Sequence, residues 1–346
     1  MSSNKNIWFF RPQSVYQRRY HGQYGHFMRD ALMYIFTYMR KAKMLDNPEW
    51  TVKIYRREAY PFQPAFMDYT QKIFSNIKFG PVGKLPFPLT PEWDEHCGER
   101  VMKYTPHIWK KIKSGRGWTN VRDERFNSYV KWMVDPFRDY CFNKLNFKPQ
   151  KKKRLLYVPR IDVSSRSNKI EHPYVKGKDY TNRYINDLDL EARLKAWCET
   201  NEYEYVHWQN GSHVPIEKQI EMYAESEIII GPTGTDWINS YWCDSKTLLI
   251  EIIPPAEHHP GGDCETFKSE DQLEAVKVNK YNKFPKGWDL HNACERNLRI
   301  IYPEEVICHG EVGVRGMKYQ INLNDDNREK ILKLVNDHNS LSKTNS

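Results

Sequence analysis

Long apolar runs are missing from this chain. No segment approaches the roughly 18 consecutive apolar residues of a membrane span, and residues 1–13 hold too short an apolar run for a signal peptide. A natural chain of this extent is expected in the cytoplasm. Paired cysteines are missing too. The seven cysteines, at 97, 141, 198, 243, 264, 294 and 308, are odd in number, scattered and never spaced C-x-x-C. That argues against a disulfide framework and against a thiolate zinc site, and leaves reduced, mostly buried thiols as the expectation. No G-x-x-x-x-G-K-[ST] sequence occurs, which excludes a P-loop. No internal repeat or low-complexity block is found.

What is present suits a globular α/β protein. The 346 residues suffice for two domains of roughly 150 residues each. Apolar residues at 39% permit a sizeable core. The balance of 53 basic against 44 acidic residues leaves a net charge of +9, which favours an anionic partner. A nucleotide-sugar, an acidic glycan and a nucleic acid all qualify.

The most informative stretch is 227–255. Ile228, Ile229 and Ile230 form an apolar run stopped by Gly231 and Pro232, the pattern of a strand buried on both faces and ended by a turn. Gly234, Thr235 and Asp236 follow, with Asp236 as the expected N-cap of a helix over 237–242. A second apolar run, 247–253, closes on Pro254 and Pro255. Strand, glycine turn, helix, strand is a βαβ unit, which seats ligands at the carboxyl ends of its strands and aims helix N-termini at anions. The expected places are 231–236 and 251–254.

Elsewhere the spacing predicts an edge strand near 7–10 and a helix over 23–43, with Phe27, Ala31, Ile35 and Tyr38 three or four residues apart. Strands are expected at 51–55 and 73–79, helices near 92–112 and 122–145, and a proline-rich surface loop at 81–91. Lys148 to Arg154 marks the domain boundary: a proline, a run of charge, then a strong strand. A phosphate-contact role for its lysines is weighed against a solvated linker. Past it come a strand at 155–158, a helix at 186–200, a strand at 203–207 and a helix at 216–226. That alternation implies a mostly parallel, Rossmann-like sheet. A last amphipathic helix is expected at 324–337. The expected division is 1–150 as an acceptor-side lobe, 151–322 as the nucleotide-sugar lobe, and 323–346 as a C-terminal helix and tail.

Three segments, in order, carry a family likeness. The first is Tyr24-Gly25-His26-Phe27-Met28-Arg29-Asp30. The second is Val158-Pro159-Arg160 followed by Asn182-Arg183-Tyr184-Ile185-Asn186. The third is Gln219, then Gly231-Pro232-Thr233-Gly234-Thr235-Asp236-Trp237-Ile238-Asn239, then Glu251-Ile252-Ile253-Pro254. Together they resemble glycosyltransferase family 61, which includes O-GlcNAc, xylosyl- and arabinosyltransferases. The likeness covers most of 150–256 and a short piece of the N-terminal half. It departs where Thr233 stands in place of the usual histidine, where Thr235-Asp236 replaces a small pair, and where a secretory anchor is missing.

The resemblance implies a GT-B fold, two Rossmann-like lobes with a cleft between them. It implies inverting transfer from a UDP-sugar to a glycan hydroxyl with no bound metal and no other cofactor; xylose is the first expectation for the sugar and GlcNAc the second. Without a metal, arginines and backbone amides must compensate the departing diphosphate. Arg160, at a strand end, and Arg183 are the candidates, with Arg166 and Lys169 behind them. Thr233, Gly234, Thr235 and Asp236 are expected at the donor, and Glu251 at ribose hydroxyls.

His26 and Asp30, four apart, share a helix face. Asp30 is the expected base and His26 its companion; the reverse assignment stays open, with Asp68 and His21 further out. Read from spacing alone, these are an ordinary amphipathic face. Asn239 and Gln219 are expected to be structural, Asn239 tying down the turn. Asp187-Leu188-Asp189 is read as a helix cap rather than a metal motif, and His258-His259 with Asp263 and Cys264 fits no standard zinc site. Two other classes compete: a nucleic-acid-binding protein using basic and aromatic surface, and a non-catalytic glycan-binding module.

Overall fold

Apolar runs such as Ile228–Ile230 and Leu248–Ile250 build the central strands, and apolar residues three to four apart build the helices. The structure, a computed structural model, describes residues 5–9, 28, 32–41, 43–56, 64–82, 124–159, 183–208, 214–232, 235–252, 297–301, 303, 305–309 and 318–344. Close contacts divide the chain into two units: Met1–Arg116, Arg122–Lys148 and Ser212–Lys218 form one, and Gly117–Val121, Pro149–Gly211 and Gln219–Ser346 the other.

The first unit holds strands β1 (Lys5–Phe9), β2 (Trp50–Arg56) and β3 (Ile77–Val82), with helices α1 (Met33–Lys41), α2 (Pro64–Ile73) and α3 (Glu124–Lys144). The strands form a parallel sheet in the order β1-β2-β3. Its core is aromatic: the Phe36 ring meets Phe137 edge-on at 5.4 Å, and Phe74 stacks on Tyr140 at 5.3 Å. The expectation of a strand over 73–79 is corrected here. Ile73 ends α2, whose buried Tyr69, Thr70 and Ile73 follow helical spacing, and the strand begins only at Ile77. Pro64 at the first helical position suits that helix start, since its missing N–H would have had no partner there.

The second unit holds β4 (Lys152–Tyr157), β5 (Arg183–Ile185), α4 (Leu188–Asn201), β6 (Glu204–His207), α5 (Ile216–Glu225) from Gln219 onward, β7 (Ser226–Pro232), a 3-10 helix (Thr235–Trp242), β8 (Leu248–Ile252), β9 (Asn297–Ile301), β10 (Glu305–His309), β11 (Lys318–Asn322) and α6 (Asp325–Thr344). The larger sheet has the order β6-β4-β7-β8-β9 and is parallel throughout. Counted along the chain within that sheet, the order is second, first, third, fourth, fifth. This is the winding of doubly wound α/β folds, whose ligand crevice opens between the first and third strands.

Side chains alternate across the sheet. Tyr157, Ile230 and Ile250 point to the face where Leu190 and Leu194 of α4 pack with Ile331 and Val335 of α6. The expected cap is present: Asp187 accepts from the Leu190 N–H at 2.9 Å, and Arg328 Nε donates to the same carboxylate at 3.0 Å. The other face of the sheet is covered by the 3-10 helix, because the Cβ direction of Gly231 leads to the Trp237 ring. Asn239 Nδ2 donates to Gln219 Oε1 at 3.0 Å, tying the 3-10 helix to α5. Cys141, Cys198 and Cys243 are buried free thiols, and burial pushes Cys198 up to about 12. Among the described residues, no helix is long and apolar enough to cross a membrane.

Candidate functional site

The site is built from the backbone at the carboxyl end of β4. Tyr157 O accepts from Trp208 N at 2.7 Å, holding the end of β6 beside it. Val158 N donates to Ile230 O at 2.8 Å, holding β7 on the other side. Pro159 O accepts from Ile185 N at 2.9 Å, which brings β5 across the end of the sheet. Three successive residues of one chain thus fix three neighbouring segments, and Arg160 follows in sequence.

Gly231 is required where β4 and β7 close up. A Cβ there would stand 2.8 Å from the Val158 carbonyl oxygen and 3.2 Å from Val158 Cβ, nearer than side chains normally approach. Glycine leaves the two strand ends in contact at the place where the winding reverses, and this is where a doubly wound sheet holds an anionic ligand. The next strand places Glu251 in register with Gly231. Neighbours in register share a face, so Glu251 lies on the side of the 3-10 helix, and it is 1% exposed. A carboxylate so deep in a sheet is costly unless it is engaged.

Arg183 opens β5, a few residues before α4, and its backbone pairs with Tyr319 of β11. One expectation is revised. The segment after the glycine turn is a 3-10 helix that begins at Thr235, so Asp236 lies inside its first turn rather than capping an α-helix. Trp237, Ile238, Tyr241 and Trp242 are all buried there. His26, Asp30, Arg160, Thr233 and Gly234 lie outside the described residues, as do Arg166, Lys169 and His21. Of Arg183, Thr235 and Asp236 the structure gives the backbone. Asp68 is exposed on α2. Among the described residues, no three His, Cys, Asp or Glu side chains gather as a metal ion requires.

The sequence reading passed over one pair at the same edge. His207, the last residue of β6, lies with Nδ1 3.5 Å from Glu191 Oε1 in the first turns of α4. The available signal was positional: His207 ends the predicted strand at 203–207, on the edge where ligands sit.

The family model for glycosyltransferase 61 matches residues 24–250, more than half of the chain. The chain belongs to this family. The matched span takes in His26, Asp30, Arg160, Arg183 and the glycine turn, and stops one residue before Glu251. No curated protein matches the chain. Membership in glycosyltransferase 61 carries a sugar donor and a glycan acceptor with it, and the parallel α/β unit agrees with that role.

Proposed function

We propose that this glycosyltransferase 61 member is an inverting enzyme of the GT-B type that moves a sugar from a UDP-sugar to a glycan hydroxyl without a bound metal. Xylose is the first choice of sugar and GlcNAc the second. The observation that carries the reading is the reversal of winding between β4 and β7, where Gly231 lets the strand ends meet and where doubly wound sheets hold nucleotides. A parallel sheet in each unit supports the GT-B assignment.

In this reading Asp30 accepts the proton of the acceptor hydroxyl as its oxygen attacks the anomeric carbon from the face opposite the nucleotide. The bond from that carbon to the diphosphate oxygen breaks, and its electron pair leaves with UDP. His26 orients Asp30 or the sugar. Arg160 and Arg183 take up the charge that develops on the diphosphate, through forks suited to paired oxygens. The amides and hydroxyls of Thr233, Gly234, Thr235 and Asp236 complete the cradle, and Glu251 accepts from donor hydroxyls.

Calorimetry with UDP tests this directly. The wild-type chain is expected to bind UDP equally with and without a chelator, and Arg160→Ala to bind it at least about tenfold more weakly, as expected for a lost charge-assisted contact. Transfer activity is expected to vanish in Asp30→Asn while UDP affinity stays. A chain that ignores UDP but binds short oligonucleotides in a salt-sensitive way would overturn the reading.

A further inference from the structure

Trp208 follows the last residue of β6 and is not used by the mechanism above. Its backbone N–H donates to Tyr157 O at 2.7 Å, so the parallel ladder between β6 and β4 runs one residue past the strand. Side chains alternate along an extended chain, and ring contacts fix which way. Tyr205 and His207 meet the Tyr157 ring at 6.4 and 5.9 Å, on the face covered by α4. Val206 and Trp208 therefore belong to the opposite face, with Val158 and Gly231. The start of the same row agrees. Arg154, in register with Glu204, donates to that carboxylate at 2.6 Å and to the sulfur of Met222 on α5 at 3.6 Å.

A row thus crosses the carboxyl edge of the sheet on the side of the 3-10 helix: Trp208, Val158, Gly231 and Glu251. An indole stands at one end and a carboxylate at the other, with a valine and a glycine between them. The aromatic residues at this edge differ in what they leave open. Tyr157 and Trp237 are 1% and 3% exposed, so neither ring can meet a ligand face to face. Trp208 is only half-buried. A part-open indole at such an edge suits a nucleobase, because every base has a π-face, and stacking one on an aromatic side chain tightens binding about tenfold.

A diphosphate held where β4 and β7 meet lies one and a half strand spacings from β6, roughly 7 Å. A ribose with its base attached spans that gap. In doubly wound dinucleotide-binding sheets the nucleoside is read at the end of the second strand, and here that strand is β6. β8, the flank on the other side, ends in Glu251 and Ile252 and offers no aromatic ring. We propose that Trp208 is the platform on which the base of the donor nucleotide stacks, with the ribose lying over the end of β4 between platform and diphosphate. Stacking uses the ring face and asks nothing of the indole N–H. The inference rests on the UDP-sugar reading and names the part of the donor that β6 holds.

Calorimetry on the full chain, with UDP and with inorganic pyrophosphate, tests the platform. Trp208→Ala is expected to weaken UDP about tenfold, the loss of one base stack, while pyrophosphate binding stays within about twofold of wild type. Trp208→Phe keeps an aromatic face and is expected to recover most of the UDP affinity. Trp208→Leu keeps apolar bulk without a π-face and is expected to recover little. Unchanged UDP affinity in Trp208→Ala overturns the platform. Equal UDP affinities in Trp208→Phe and Trp208→Leu overturn it too, since they mark packing rather than stacking. So does a parallel loss of UDP and pyrophosphate accompanied by a lower melting temperature, which marks a structural role. A wild-type chain that binds pyrophosphate no more weakly than UDP has no base platform at all. A wild-type chain that binds neither removes the UDP-sugar reading itself, and the platform with it.

Discussion

The carbonyl oxygen of Val158 stands 2.8 Å from the point a Cβ on Gly231 would occupy. The obstacle is backbone, not the tip of a flexible side chain, so it cannot swing aside. Gly231→Ala is expected to force β4 and β7 apart at their carboxyl ends and to cost about 1–3 kcal/mol, the usual range for overpacking. Urea denaturation measures the loss, and UDP affinity is expected to fall with it because the crevice changes shape. Adding Val158→Ala removes the 3.2 Å Cβ contact but not the carbonyl. The double variant is therefore expected to recover little; full recovery would show that the side chain was the obstacle.

Asn239 is fully buried, and its amide donates to Gln219 across the space between the 3-10 helix and α5. Truncating either residue leaves the other's buried amide short of a partner, which costs about 1–3 kcal/mol. Asn239→Ala and Gln219→Ala are each expected to destabilise by that amount. The double variant is expected to lose less than the sum, with a coupling of about 1 kcal/mol. Strict additivity in denaturant titrations would show that the pair does not act together.

These relationships also show how far the sequence could be read. The three isoleucines at 228–230 announced a strand buried on both faces, and β7 is that strand, central in a parallel sheet. The Asp187-Leu188-Asp189 triplet was legible as a cap because an aspartate before an apolar helical rhythm has one local use, whatever the fold. β5 was not legible. Three residues carry no periodicity, and what makes Arg183–Ile185 a strand is its pairing with β11, more than 130 positions later. α2 was not anticipated either: its inward face is as short as Tyr69, Thr70 and Ile73, too little for a periodic signal. Gly231 was recognisable as a turn glycine, but its real constraint is a carbonyl on another strand, which no local pattern encodes. The same holds for Glu191 and His207, sixteen positions apart in sequence and joined by the winding of α4 onto β6.

Asp187 does two jobs, and substitutions separate them. Its carboxylate accepts from the Leu190 N–H at the start of α4 and from Arg328 on α6. Asp187→Asn keeps a capping oxygen and loses the charge opposite Arg328; Asp187→Ala loses both. The asparagine variant is expected to cost less than the alanine variant, since it keeps the capping oxygen and Arg328 also pairs with Asp325. The alanine variant is expected to cost about 1–2 kcal/mol, the usual price of a lost cap. Equal losses in denaturant titrations would mean that the charge, rather than the cap, matters. UDP affinity is expected to be unchanged in the asparagine variant.

His338 lies on α6, and its imidazole is held below its ordinary pKa by burial, with Lys151 and Arg299 adding to the effect and Glu227 opposing it. The sign of the stability change follows. In the unfolded chain the imidazole takes its proton near pH 6.5, whereas in the folded protein it resists to lower pH. As pH falls through 6.5 the unfolded state therefore binds the proton first, and stability declines until the folded value is passed. The depressed carboxyls of Glu191 and Asp244 act in the same direction, but only nearer the carboxylate range, around pH 4. Between pH 7.5 and 5.5 the contribution of His338 is thus distinct from theirs. Unfolding free energy is expected to fall over that interval in the wild type and to fall less in His338→Gln, which cannot be protonated. Parallel curves for the two proteins would mean that the imidazole titrates alike in the folded and unfolded chains.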